Sequence, residues 1–407
     1  MTVTTGEAAP RLGVLRIPAF RWFFAGQFAS SFGDCLVGPA LAFAVLDLTG
    51  SAGDLGLVLA ARTVPVVAFM LLGGVLADRL PKHRVMLGAD LVRVAGQGGC
   101  AGLLITGHAH IWQLMALQAV NGAASAMFTP AVSGLIQQTV PTDHRQAANA
   151  LHTASRSVSM VAGPLVSALL VISVGSGWAL AADAATFAVS AACLARLRLP
   201  AGTGTPVGSR IVADLRDGWR EFRSRTWVWS LILMSSLTNM CAAVLSVLGP
   251  LVSARDFGGA GAWGAIMATL GAGAVTGGLL TVWIRPRRPL RLAVLVATLC
   301  TTPMLVMSQA SSPVPVAIAA FFSGVGLMIF NPLWETVLQR EIPASSLSKV
   351  SAYEWLGSYA ATPVGQALAG PVALQLGVRR TLLYVGLGYV AISLAPLAVR
   401  DVRGYGS

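Results

Sequence analysis

Apolar residues run through this chain in long blocks separated by brief polar breaks, with neither the alternation of a half-buried strand nor the narrow stripe of a surface helix. Twelve blocks are long enough to cross a bilayer as helices. They cover residues 22–46, 55–77, 85–106, 111–138, 149–172, 177–197, 228–253, 261–284, 291–309, 314–338, 350–374 and 379–399. The breaks are short except between the sixth and seventh blocks, where Arg198 to Arg225 opens on Pro-Ala-Gly-Thr-Gly-Thr-Pro. Within that stretch Leu215, Trp219 and Phe222 recur at helical spacing among charges, which predicts a short amphipathic helix lying on a membrane surface. The pattern divides the chain into an N-terminal six-helix bundle (1–197), a cytoplasmic linker with that helix (198–226) and a C-terminal six-helix bundle (227–407).

Composition sharpens the picture. Charged residues are 11% of the 407 positions and apolar ones 55%, which excludes an ordinary soluble domain. The net charge of +12 does not point to nucleic acid, because the basic residues are scattered between apolar blocks instead of covering one polar face. With the N-terminus inside, 22 of the 28 Lys and Arg fall in or beside cytoplasmic segments; three (Arg255, Arg379, Arg380) lie outside and three (Arg62, Arg93, Arg156) within the membrane. The positive-inside rule therefore places both termini in the cytoplasm of a multi-pass protein of the cell membrane. The five cysteines all fall in apolar blocks without a Cys-x-x-Cys pair, so neither a disulfide framework nor a metal site is expected. No phosphate-binding loop Gly-x4-Gly-Lys-Ser/Thr occurs, and no Gly-rich stretch follows a strand. No cofactor is expected, and the energy for any transport must come from a gradient.

Between the second and third blocks stands Gly74-Val-Leu-Ala-Asp78-Arg79-Leu-Pro-Lys82-His-Arg84. This resembles the loop signature of the major facilitator superfamily, Gly-x-Leu-Ala-Asp-Arg-x-Gly-Arg-Arg, with Pro81 where glycine is usual. A second sign is internal: Pro130-x6-Gln137-x3-Pro141 recurs as Pro332-x6-Gln339-x3-Pro343, displaced by 202 residues, flanked by Phe128-Thr-Pro and Phe330-Asn-Pro. The resemblance implies an all-α fold of twelve transmembrane helices in two pseudo-symmetric six-helix bundles, with the substrate cavity between them. Within the superfamily, Gln118-Ala-Val-Asn121-Gly122 resembles the fourth-span pattern of proton-coupled members with glutamine in place of their arginine. Gly163-Pro164-Leu-Val-Ser-Ala resembles a shortened drug:proton antiporter element, and Ser31-Phe-Gly-Asp34 through Arg62-Thr-Val-Pro65 resembles the enterobactin-exporter branch of bacterial efflux proteins.

Charges inside apolar helices are costly and mark function by default. Asp34 is about twelve residues, or ~18 Å, into the first block, near the midplane, with Arg62 at comparable depth in the second. One reading makes them the proton-coupling pair; the other makes them a permanent structural ion pair. Asp90, Arg93, Arg156, Glu335 and Glu354 fall in the inner third of their helices, and with Gly74, Asp78, Arg79, Lys82 and Arg84 they read as a cytoplasmic gate. Gln118, Asn121, Gly163, Pro164 and Asp183 are the candidates for a substrate pathway.

The expected function is proton-coupled efflux of a small apolar or amphipathic molecule, such as an antibiotic, siderophore or other secondary metabolite, by alternating access. The alternative is a proton-coupled or facilitative uptake transporter. A polytopic sensor or enzyme would need a constellation of His, Asp or Cys at one membrane face, or a large soluble domain, and the sequence has neither. The expected partners are a small-molecule substrate, protons and the bilayer, with the protein acting as a monomer.

Overall fold

The computed structural model describes residues 13–79, 81–197, 223, 226–284, 286–342 and 344–398, so the amphipathic helix expected in 198–226 lies outside the described residues. Among these residues every regular element is helical. The first six helices are α1 (Pro18–Thr49), α2 (Ala52–Arg79), α3 (Lys82–Ile105), α4 (Ile111–Thr139), α5 (Arg145–Val174) and α6 (Ser176–Ala195). The remainder are α7 (Thr226–Asp256), α8 (Ala260–Thr281), α9 (Pro289–Ala297), α10 (Thr302–Met307), α11 (Pro313–Glu341), α12 (Ala344–Tyr359), α13 (Thr362–Leu376) and α14 (Val378–Leu394). Nine helical stretches among the described residues are long and apolar enough to cross a membrane.

The helices overrun the predicted blocks because hydropathy marks only their apolar portions, while the backbone stays helical into the polar ends. Two predicted blocks are interrupted. In 291–309 a 3-10 turn at Thr298–Thr301 separates α9 from α10, next to Pro303, whose ring nitrogen cannot donate to the preceding turn. In 350–374 the break at Ala360–Ala361 stands before Pro363, in the first turn of α13.

The internal repeat has a structural counterpart. α4 and α11 each have 29 residues, their starts (Ile111, Pro313) and their ends (Thr139, Glu341) are each 202 residues apart, and each passes into an extended residue, Val140 or Ile342.

The turns Gly50, Gly107, Gly175, Gly258–Gly259 and Gly377 take positive φ, and they share one face of the bundle. At Gly50 (φ 65°) the left-handed residue lets its N–H return to Leu46 O and close α1 within a single turn before α2 begins. The opposite, basic face carries Lys82, Arg84, Arg145, Arg287, Arg288 and Arg291 at helix starts.

α1 packs on α5 and α6, α2 and α3 on α4, and α3 on α6; in the second half α8, α9 and α10 pack on α11, and α12, α13 and α14 on α7. Two seams join the halves, α5 on α8 and α2 on α13. Apolar burial gives little net drive between helices in lipid, so close contact of small residues must hold such seams. Here a Cβ on Gly264 would collide with Ala168 and Pro164 of α5, one on Gly271 with Met160, and one on Gly370 with Gly53 of α2.

One core cluster runs through both halves near the glycine-turn face, joining Leu41 and Leu55 to Val247, Leu251, Trp263 and Ala369. Toward the basic face the core divides, with Phe20, Met86, Phe128 and Leu135 in the first half and Trp227, Leu231, Trp334 and Leu338 in the second. The halves are sealed together on the glycine-turn side and part on the basic side. Gly264→Leu is expected to break this seal. In a protein whose remaining cysteine is Cys35, which lines a cavity among α1, α3, α4 and α5, a membrane-impermeant thiol reagent added on the glycine-turn side should then reach it. Unchanged protection would refute the sealing role of the seam.

Candidate transport site

A cavity of about 580 Å³ opens among α1, α3, α4 and α5, running from Asp34 to Arg145 at the basic end of α5. Its lining mixes charge with apolar surface: Asp34, Arg93, Arg145, His152 and Arg156 beside Phe128, Val132, Ile136 and Met160.

Asp34 is its carboxylate, with a side chain 36% exposed. Gly33 beside it has no side chain, and a Cβ there would collide with Thr186 and Asp183, so glycine is what lets α1 press against α6 at this level. The expected partner is present: Arg62 Nη2 donates to Asp34 Oδ1 at 3.4 Å. A closer one was not expected there. Arg93 Nη2 donates to both Asp34 oxygens at 3.0 and 3.1 Å, and the Arg93 side chain is only 5% exposed.

In this arrangement Arg93 pairs within the first half and not across the two halves, and it is the hub of the first half. Its Nη1 donates to Ser30 Oγ at 3.2 Å and its Nε and Nη2 to Ser125 Oγ at 3.2 and 3.0 Å. Its guanidinium lies over the rings of Phe187 (4.4 Å) and Phe128 (5.0 Å), where the ring quadrupoles favour a cation. Asp90, one turn earlier, is fully buried with its Oδ1 3.6 Å from Arg93 Nη1. In this arrangement it is an interior counter-charge to Arg93 and makes no pair across the halves with a described residue. Asp90 and Arg93 stand three residues apart on α3, and both point into the bundle.

The three polar pathway candidates form a second buried network. Gln97 Nε2 donates to Asp183 Oδ2 at 2.7 Å, Gln118 Nε2 to Gln97 Oε1 at 2.9 Å, and Asn121 Nδ2 to the same oxygen at 3.4 Å. Asp183, Gln118 and Asn121 are 0%, 0% and 2% exposed, so none lines the cavity in this arrangement. Asp183 is tied within its own half. Gly163 is a packing position, since a Cβ there would meet Cys35 of α1, and the Pro164 carbonyl faces Gly264 across the seam.

The remaining gate candidates are dispersed. α2 ends at Arg79 and α3 begins at Lys82, so Gly74, Asp78 and Arg79 belong to the last turns of one helix and Lys82 and Arg84 to the first turn of the next, on the basic face. Arg156 and Glu335 are exposed. Glu354 Oε1 accepts from Trp334 Nε1 at 3.2 Å. None of Arg156, Glu335 and Glu354 makes an ion pair across the halves with a described residue, as a gate on the parted side requires.

Sequence reading missed Ser30, Gln97, Ser125, Phe128 and Phe187. A signal existed. Asp90, Arg93 and Gln97 on α3, and Gln118, Asn121 and Ser125 on α4, stand three and four residues apart inside otherwise apolar helices, so each set forms a single polar stripe. Facing stripes of this kind are how polar groups find partners where water is absent.

Comparison with known proteins agrees in kind. A profile described as Major Facilitator Superfamily matches residues 23–361. The multidrug efflux pump Tap of Mycobacterium tuberculosis (strain ATCC 25618 / H37Rv) is 27% identical over 409 aligned residues, taking in 95% of this chain and 94% of that protein. Macrolide efflux protein A of Streptococcus pyogenes is 22% identical over 401, taking in 94% and 96%. Among solved structures, the nucleoside transporter NupG aligns with a TM-score of 0.73 at 14% identity, covering 93% of this chain and 98% of that one. A peptide transporter POT in complex with sulfate gives 0.75 at 15%, covering 94% of each. At such identities the structural matches speak for the fold alone.

Proposed function

The chain belongs to the major facilitator superfamily and is a multi-pass membrane transporter of small molecules, and from that premise we propose that it exports an apolar or amphipathic compound in exchange for protons, as a monomer with twelve spans and both termini in the cytoplasm. The observation that carries the reading is Asp34: an intramembrane carboxylate in the cavity wall, bridged to two arginines, in a bundle closed on one face and parted on the other. The positive-inside bias makes the parted basic face cytoplasmic, so this arrangement is the inward-open one. The efflux names of the relatives support the direction.

Alternating access then uses the parts in turn. Cargo enters from the cytoplasm, the basic ends close, and the glycine seams α5–α8 and α2–α13 part on the other side. A proton arriving at Asp34 neutralises the carboxylate and loosens its bonds to Arg62 and Arg93, which changes how α1 is held to α2 and α3. The Lys82 turn and the exposed Arg156 and Glu335 serve the closed inner gate, whose pairs form only in the outward-open state.

Cells expressing the protein should retain less of at least some labelled hydrophobic compounds than cells without it, and an uncoupler should abolish the difference. Greater accumulation, removed by the same uncoupler, would instead mean uptake; a difference indifferent to the uncoupler would sink proton coupling.

A further inference from the structure

The buried polar network of the first half ends on an acid that has no cation. Gln118 Nε2 donates to Gln97 Oε1 at 2.9 Å and Gln97 Nε2 to Asp183 Oδ2 at 2.7 Å, so the amides direct their donors one way, toward Asp183. Its other oxygen, Oδ1, is buried without a hydrogen-bond partner among the described residues, and the residue as a whole is 0% exposed. Asp183 makes no ion pair with a described residue.

α6, which carries Asp183, packs on α1, α3 and α5. The charged and titratable groups that those helices hold toward the bundle interior are Asp34 and Cys35 on α1, Asp90 and Arg93 on α3, and Arg145, His152 and Arg156 on α5. The α5 groups line the cavity, which Asp183 does not reach. Arg93 is committed to Asp34 and Asp90, and Arg62 of α2 to Asp34. Three interior acids, Asp34, Asp90 and Asp183, thus share two arginines, and the acid paired with neither is Asp183. A carboxylate kept from water, with one neutral hydrogen bond and no cation, is far costlier than the same group with a proton on it.

Oδ1 also has a neighbour able to receive an O–H. Asp183 Oδ1 and Thr186 Oγ1 crowd the same point, where a Cβ on Gly33 of α1 would stand. The Thr186 hydroxyl gives its hydrogen to the Asp183 carbonyl at 2.7 Å, so its lone pairs remain for that O–H.

Resting on the proton-exchange reading above for its place in the cycle, we infer that Asp183 is a second proton-binding site and that it is loaded in the inward-open arrangement. It is a neutral carboxylic acid with its hydrogen on Oδ1, at the contact of α6 with α1, while Asp34 stands ionised between its two arginines. Loading binds one proton from the aqueous phase and forms one O–H bond. Gly33 lies at this contact and Asp34 follows it in the chain, so a movement of α1 off α6 reaches both acids together.

The test is infrared spectroscopy of the full-length protein in lipid nanodiscs at neutral pH. The aspartate carboxyls are isotope-labelled, so that their C=O stretch is distinguished from those of glutamate and lipid esters. Wild type is expected to show the stretch of a protonated aspartic acid, in a range where ionised carboxylates have none. Asp183→Asn should lose that band and Asp34→Asn should keep it. Gln97→Leu leaves the acid in place and should shift the band to higher frequency, because the Oδ2 carbonyl then lacks its hydrogen bond. This variant gives the answer even where Asp183→Asn does not fold. No protonated-aspartate band in wild type, a band unchanged in Asp183→Asn, a band removed by Asp34→Asn, or no shift in Gln97→Leu would each overturn the inference. A metal cation held at Oδ1 in place of the proton leaves the carboxylate ionised and the band absent, which counts against it equally. The spectra need no transport, so they can fail while protons drive export as proposed. Efflux indifferent to an uncoupler would remove that coupling and leave the loaded site as described.

Discussion

Asp34→Asn should abolish export driven by a pH gradient while the protein remains folded, abundant and able to bind cargo. The amide has nearly the shape of the carboxylate and still offers an oxygen to Arg93 and Arg62, so the α1–α2–α3 contacts lose charge but not geometry. It cannot take up or release a proton, so the energy of the gradient has no route into the conformational cycle. Flux down the cargo's own gradient should persist and become indifferent to pH. Abundance, binding and pH-driven efflux need to be measured on one preparation, because a structural ion pair predicts the reverse order of damage: lost abundance first, lost efflux only in proportion. Undiminished proton-driven export by this variant would remove Asp34 from the coupling and shift attention to the other intramembrane acids, Asp183, Glu335 and Glu354.

Arg93→Met should be the most destabilising single change in the first half. It removes the hydrogen bonds to Ser30, Ser125 and Asp34 together, and it leaves Asp90 without its cation in a fully buried position. Stripping one partner from a buried charge pair costs roughly 3–5 kcal/mol, against about 1 kcal/mol or less for a partly exposed pair such as Arg62 with Asp34 at 3.4 Å. Thermal unfolding in detergent should therefore show a large drop for Arg93→Met and a small one for Arg62→Gln. Adding Asp90→Asn to Arg93→Met should recover part of the loss, since the uncompensated charge is then gone. Equal effects of the two arginine changes, or no recovery in the double variant, would show that Arg93 is not the hub.

Much of this was legible without coordinates because a membrane imposes one-dimensional rules. A span needs a minimum length of apolar residues, its ends are marked by charge, and lysine and arginine choose the side. The long apolar blocks, matched among the described residues by nine helical stretches of spanning length, the Asp34–Arg62 pairing by depth and the 202-residue repeat are all of this kind, and each needs only positions along the chain. The two interrupted helices were not legible, because hydropathy averages over a proline that breaks a backbone bond without changing the apolar count.

The direction of a side chain around its helix was the harder matter. Depth placed Arg93 in the inner third and made it look like a gate, yet α1, α3, α4 and α6 converge so that Asp34, Ser30, Ser125, Phe128 and Phe187 all reach it. Likewise Gln118, Asn121 and Asp183 stood at plausible pathway depths, but facing stripes on three helices turned them toward Gln97 and away from the cavity. The sequence by itself determined that this is a polytopic, helical transporter, because lipid penalises polar and charged positions residue by residue. Only the tertiary structure decided which charges meet and which face is sealed, because these depend on the rotation and approach of helices far apart in the chain.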